Sequence, residues 1–483
     1  MRHLLYYKLT SDFTADQTDV GGDGTKVVSV VNSVARCADT RKIYYRESGD
    51  MSDVTPCTVT VHFKWQELTI APDEVVNTKR YIGKSAKVCL QSKMVEGYTP
   101  VHKSYTLTVS GDTEYTFEYN NNYQSVPLTF EIMSGGTIIW KRESNNSPLE
   151  VIEYSLNGGD WVAITSTTAT QPQISVSDGD IVQFRGNNAS YSSSVGGGNI
   201  FSGTCTFNIK GNIMSLIKKT GFSELDTLVS AYTFYHLFNG NTGIVSAKLL
   251  VLPATTLADN CYNSMFQGCT SLTAAPALPA TTLTQSCYRS MFWGCTSLTR
   301  APELPATTLA RNCYTYMFWG CTSLTRAPEL PATTLTQSCY SSMFWGCTSL
   351  TRAPELPATT LAQSCYIRMF YGCTSLTAAP ALPATTLTSN CYDGMFYGCT
   401  GLSSAPVLPA TTLADSCYSS MFYGCTSLNY IKCLATNISA SNCTYSWVNG
   451  VSSTGTFVKP NATDWSSKTG TNGIPSNWAI QDA

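Results

Sequence analysis

The stretch "CYRSMFWGCTSLTRAPELPATTL", residues 287–309, decides how the chain is read, because with small changes it occurs seven times. Cys261, Cys287, Cys313, Cys339, Cys365, Cys391 and Cys417 stand 26 residues apart, and a second series from Cys269 to Cys425 keeps that step. A fixed period of this size is the mark of a solenoid, in which each unit buries its apolar face only against its neighbours. The register runs on past the clear copies. Cys443, Trp447 and Gly450 fall one period beyond Cys417, Met421 and Gly424, while Val451 answers Cys425. Upstream, "LFNGNTGI" (237–244) matches "MFQGCTSL" (265–272) with two extra residues. Both flanks read as degenerate capping units.

Within one unit, Leu298 and Ala301 fit a short strand that Pro302 must end, since proline cannot donate to a ladder. "LPATTL" turns the chain. Cys287, Met291 and Phe292 then follow at near-helical spacing, with Gly294 closing the turn. The expectation is one strand and one short helix per repeat, stacked at strand spacing into a rod of about 40 Å. The residue after "LPATTL" alternates between Ala258, Ala310, Ala362, Ala414 and Thr284, Thr336, Thr388, which suggests duplication in pairs of repeats.

"MFWGCTSLTRAPELP" resembles the "FxxCxxLxxIxLP" signature of BspA-like, Treponema-type leucine-rich-repeat proteins. The likeness covers about residues 230–455. It departs from the pattern in its longer unit and in Ala301, where the family carries Ile or Val. The resemblance implies an adhesion module of a bacterial surface or a bacteriophage particle, not a reaction. "LPATT" also resembles a sortase signal, but it occurs internally in every copy and never with glycine, so it is read as a turn.

Both cysteine series sit among inward-facing residues, where a free thiol behaves as a small hydrophobe. Cross-links between adjacent turns would consume them in pairs and break the equivalence of the repeats. No Cys/His spacing suits a metal, so buried thiol ladders are expected and no metal or cofactor is assigned.

Two columns are the candidate ligand-binding residues. Beside the inward Phe292 lies a column reading Gln267, Trp293, Trp319, Trp345, Tyr371, Tyr397 and Tyr423, six aromatics in a row. Such a stack either roofs the core or offers a platform to sugars or a protein. The second column carries Arg300, Arg326 and Arg352, shadowed by Glu303, Glu329 and Glu355, and reads first as a balanced solvated strip. The pairs after Cys-Tyr vary most: Asn263/Ser264, Arg289/Ser290, Thr315/Tyr316, Ile367/Arg368 and Asp393/Gly394. There a recognition surface can diversify without harm to the fold.

The first 210 residues read as β. "KSYTLTVSGDTEYTFEY" (103–119) and "VIEYSLNGGDWVAI" (151–164) are each expected to form a hairpin, the second around Asn157-Gly158. The segment 95–119 is also similar to mucin-binding-type repeats. Overall the fold class is mixed, with all-β, sandwich-like N-terminal domains ahead of a leucine-rich-repeat solenoid. The boundaries are a docking segment at 1–50, a β domain at 51–121 and an Ig-like sandwich at 122–211. An N-terminal cap at 212–244, seven repeats at 245–430 and a degenerate repeat with C-terminal cap at 431–483 complete the chain.

Composition excludes several functions. Charged residues are only 13% of the chain and the net charge is -2, which gives no electrostatic footprint for nucleic acid. No apolar run is long enough for a membrane helix, and "MRHLLYYKLTSDF" does not read as a secretory leader. The four histidines, His3, His62, His102 and His236, are scattered, and no nucleophile elbow or phosphate loop occurs. No enzyme is expected. The first reading is a bacteriophage tail or head appendage on the virion or cell exterior, which binds a host-surface glycan or protein. Its N-terminal β domains would dock it to other structural proteins in an oligomeric assembly. A bacterial cell-surface adhesin and a purely structural spacer are the alternatives.

Overall fold

The computed structural model describes residues 4–7, 18–19, 26–29, 44–46, 54–65, 68–81, 86–145, 147, 149–166, 172–194, 197–461, 464–466, 468 and 470–483. They divide into two compact units, Met1–Asn122 and Tyr123–Ala483. Of the segment 1–50 expected to dock, only the short strands Leu4–Tyr7, Thr18–Asp19, Lys26–Ser29 and Tyr44–Arg46 are described, and they share one sheet.

In the first unit, Val54–Trp65 alternates Cys57, Val59, Val61 and Phe63 into a core shared with Val109, Phe117 and Tyr119. The hairpin expected at 103–119 is not formed. Ser104–Val109 pairs antiparallel with Ala86–Gln91, whereas Thr113–Asn121 runs parallel to Val54–Trp65. The cause is local. Gly111 is not left-handed, so no hairpin turn folds the chain back. Instead Asp112 Oδ1 accepts from Thr58 N at 2.7 Å and Thr58 Oγ1 at 3.0 Å, which ties the corner to another strand. At 151–164 the opposite holds. Asn157 and Gly158 have φ of 52° and 73°, Gly159 N donates to Leu156 O at 2.9 Å, and Val151–Leu156 pairs antiparallel with Val162–Thr165.

The second unit begins with two sheets whose aromatic residues meet. Phe130 and Phe184 from the six-stranded sheet lie 5.1 and 4.8 Å from Phe201 of the four-stranded one, which also packs on Trp140 at 4.7 Å. The strand Thr206–Asn212 joins this region to the repeats. It bonds antiparallel to Leu128–Ser134 on one side and parallel to Ile244–Val251, the first strand of the repeat region, on the other. One buried cluster therefore runs from Leu128 to Trp478. Glu143 fastens the same joint by accepting from His236 Nδ1 at 2.9 Å, Asn239 Nδ2 at 3.3 Å and Gly198 N at 2.9 Å.

Each repeat is one coil laid on the next. The short helix expected over Cys287–Gly294 is absent, because every fourth residue is left-handed: Ser286, Ser290 and Gly294 have φ of 55°, 54° and 73°. An L-residue helix does not survive such interruptions. The N–H groups alternate instead. Tyr314, Tyr316, Phe318 and Gly320 donate to Cys339, Ser341, Met343 and Trp345 of the next coil at 2.7–3.0 Å. Thr315, Met317, Trp319 and Cys321 donate three residues back within their own coil at 3.1–3.2 Å. All backbone donors of the arc are used, half of them in welding coil to coil. The strand expected around Ala301 shrinks to single parallel bridges, Ala274–Arg300–Arg326–Arg352, since the prolines that follow cannot extend a ladder.

Inside the stack, like residues meet like. Tyr262, Tyr288, Tyr314, Tyr340, Tyr366, Tyr392 and Tyr418 form one buried ring column with 5.7–6.0 Å steps. Phe238 to Phe422 form a second with 5.2–5.8 Å steps. At the far end Trp447 takes the place of a methionine, stacks on Tyr418 and Trp465, and donates its indole N–H to Gly473 O at 2.8 Å. Parallel strands Tyr430–Lys432, Gly455–Lys459 and Trp478–Asp482 close that end.

Candidate recognition surface

The described cysteines are free thiols, all buried except the half-buried Cys89. The second series is specific in its role. The Sγ atoms of Cys295, Cys321, Cys347 and Cys373 each donate to the carbonyl of a phenylalanine in the preceding coil at 3.1 Å. Burial pushes the thiols of Cys287, Cys339, Cys391 and Cys425 up to about 12, so they stay protonated and unreactive at neutral pH. Among the described residues no group of three or more His, Cys, Asp or Glu side chains is placed to hold a metal ion.

The outer column is brought together as one continuous row. Trp293, Trp319, Trp345, Tyr371, Tyr397 and Tyr423 are half-buried, with centroids 4.8, 4.4, 4.1, 4.3 and 4.5 Å apart and ring planes within 24° of parallel. Each residue follows an inward phenylalanine and precedes the left-handed glycine of its coil, and this turn carries the ring out of the core. The rings stack face on face, so Trp319, Trp345, Tyr371 and Tyr397 have both faces covered and show only their edges. Those edges are polar. The indole N–H groups of Trp293, Trp319 and Trp345 have no protein acceptor and open to solvent. Trp140, Trp447 and Trp478, by contrast, donate to Glu150 O, Gly473 O and Ser452 O at 2.8–3.1 Å. Desolvation and the neighbouring Tyr371 hold the Tyr397 hydroxyl above the ordinary phenol range.

Arg300, Arg326 and Arg352 stand exposed in a column of their own, one per coil, with Glu303, Glu329 and Glu355 also exposed. The guanidinium groups that border the rings come from elsewhere. Arg289 lies over the Tyr316 ring at 5.1 Å, and Arg368 lies 5.7 Å from the centroid of Trp345. Tyr316 itself packs on Trp293 and Trp319 at 6.0 and 5.1 Å. Asp393 sits near Arg368, whose charge opposes the upward push that burial gives its carboxyl. In the sequence Arg289, Tyr316 and Arg368 stand only among the variable pairs. Their signal was the bulk of Tyr316 and Arg368 in a column otherwise filled by Ser264, Ser290, Ser342, Gly394 and Ser420. That whole column is left-handed, with φ of 59° at Tyr316 and 53° at Arg368.

No curated protein and no solved structure matches the chain. Residues 252–376 and 355–449 match the family described as BspA type leucine rich repeat region, in six copies. The repeats of this chain accordingly belong to the BspA-type leucine-rich-repeat family.

Proposed function

We infer that the chain is a non-enzymatic recognition protein exposed on the outside of a particle or cell, with the coil stack as its binding element. BspA-type repeats are in general protein-interaction modules, often of surface and adhesion proteins. The observation that carries the reading is the outer ring row. Six consecutive coils each spend a large aromatic residue at a half-buried position, and the tryptophan edges carry donors that the protein leaves unused. A bacteriophage tail or head appendage is the first setting proposed, and a bacterial cell-surface adhesin the second. In either, the front β domains dock the chain and the stack meets a host-surface glycan or protein. The mutual stacking of the rings is what favours the rival reading, a structural spacer that binds nothing.

Mass spectrometry of purified virus particles and of washed cell envelopes tests the setting. The chain in particles makes it a virion component, and the chain in envelopes alone makes it an adhesin. Binding to host envelopes, measured for the wild type and for Trp293→Ala/Trp319→Ala/Trp345→Ala, tests the role. Unchanged binding by a folded variant contradicts the ring row as binding site.

A further inference from the structure

We propose that the outer ring row binds a linear, carboxylate-bearing polysaccharide that runs along the stack, held edge-on by the tryptophan N–H groups and the two bordering guanidiniums. This rests on the reading of the coil stack as a recognition surface and specifies its ligand. The usual way an aromatic residue meets a sugar, face against face, is closed to the middle of the row, because each ring face already carries the next ring at 4.1–4.8 Å. The edges are open. Trp293, Trp319 and Trp345 present one unpartnered N–H per coil, and indole N–H groups and guanidiniums donate without accepting. A ligand for this row is therefore rich in acceptors and negatively charged.

The charge is also sparse. Arg289 and Arg368 are the cations at the rings, and Asp393 offsets part of the second. With a net charge of -2 the chain has no field for a nucleic acid, whose binding depends on many phosphate contacts. An extended peptide fits poorly as well. Its same-side carbonyls recur at roughly 6.6–6.8 Å, out of step with rings at 4.1–4.8 Å. A sugar chain offers hydroxyl and ring oxygens around every unit and needs no strict register.

Backbone strain points to the same place. Tyr316 and Arg368 hold left-handed conformations where the other five repeats use serine or glycine, at a cost in backbone energy. Both lean on the rings, two coils apart, with the small Ser342 between them. Tyr316 lies 5.1 Å from Trp319 and Arg368 lies 5.7 Å from Trp345, so both flank the middle of the ring row.

The test uses the full chain and calorimetric titration with polygalacturonate, alginate, hyaluronate and polysialic acid, with dextran as the neutral control. Wild type is compared with Trp293→Phe/Trp319→Phe/Trp345→Phe, which keeps the rings and loses the N–H groups. The matching Ala triple and Arg289→Gln/Arg368→Gln complete the set, all checked for an unchanged circular dichroism spectrum. The expected result is binding to at least one acidic polymer and none to dextran. The Phe triple should weaken it by at least about tenfold, and the Arg pair should weaken it and flatten its salt dependence. If the Phe triple binds like wild type while the Ala triple does not, the rings recognise the ligand but the edge-on proposal is overturned. If both triples bind like wild type, the ring row is not the site at all. Failure of all four acidic polymers, or retention of an envelope protein by the rings instead, also overturns it.

Discussion

Phe318 and Trp319 are neighbours in one coil, yet they belong to two ring columns with different work. The inner column is dry. Its rings step at 5.2–5.8 Å and pack among methionine, leucine and thiol groups with no measurable exposure. The outer one steps at 4.1–4.8 Å, packs ring on ring, and keeps its polar edges in water. One translation of 26 residues generates both. What separates them is the turn that follows, where a left-handed glycine swings the outer ring away from the core. Repetition by itself thus does not say whether a column serves the fold or a ligand. The exposure of its ring edges does.

Alkali should break the inner side most completely. The thiols of Cys287, Cys321, Cys339, Cys391 and Cys425 are raised to about 12 by burial, against 9.0 when free. The folded state thus holds protons that the unfolded state releases, so stability is intact below pH 9 and falls as pH rises toward 12. Each such thiol costs about 1.4 kcal/mol per pH unit in that window. Circular dichroism from pH 8 to 12 should show cooperative loss of the repeats before pH 12. A stack unchanged at pH 12 would mean the thiols are not dry.

A single cut at the end of the inner columns comes next. Trp447 is fully buried between Tyr418 and Trp465, and Trp447→Ala should cost about 3–5 kcal/mol in urea unfolding. A loss below 1 kcal/mol would show that the stack ends without a cap there. On the outer side the effect shrinks. Gly320 has φ of 70°, and an added Cβ would meet only the Gly294 backbone, Cα at 3.9 Å and N at 4.0 Å. Gly320→Ala should therefore cost only backbone strain, about 1–2 kcal/mol, with the outer rings still stacked. A larger loss in urea unfolding would show that the outer arc is packed as tightly as the core.

The period, the inward columns and the free thiols were legible in the sequence, because a stack places each residue on its own copy and any apolar column must face the core. The expected helix fails for a definite reason. Cys287, Met291 and Phe292 have helical spacing, but Ser286, Ser290 and Gly294 at every fourth position take the left-handed conformation, and spacing alone does not distinguish the two. Two similar β segments parted company at their turns. Asn157-Gly158 carries its hairpin in its residue types, while the fate of "SGDT" was settled by Thr58, far away in sequence, which captures Asp112. In the candidate site the six rings were visible as a column. Their face-on stacking, the free indole edges and the approach of Arg289 and Arg368 needed coordinates, since each depends on rotamers across coils.

The division between the two columns is tested most directly by urea unfolding of Phe318→Ala and Trp319→Ala, measured side by side. The inner substitution should cost about 3–5 kcal/mol, as for a fully buried ring. The outer one should cost about 1–2 kcal/mol, from the stacking of a half-exposed ring on its two neighbours. Equal losses at the two positions would contradict the account, because the outer rings would then be part of the core and not a surface kept for a ligand.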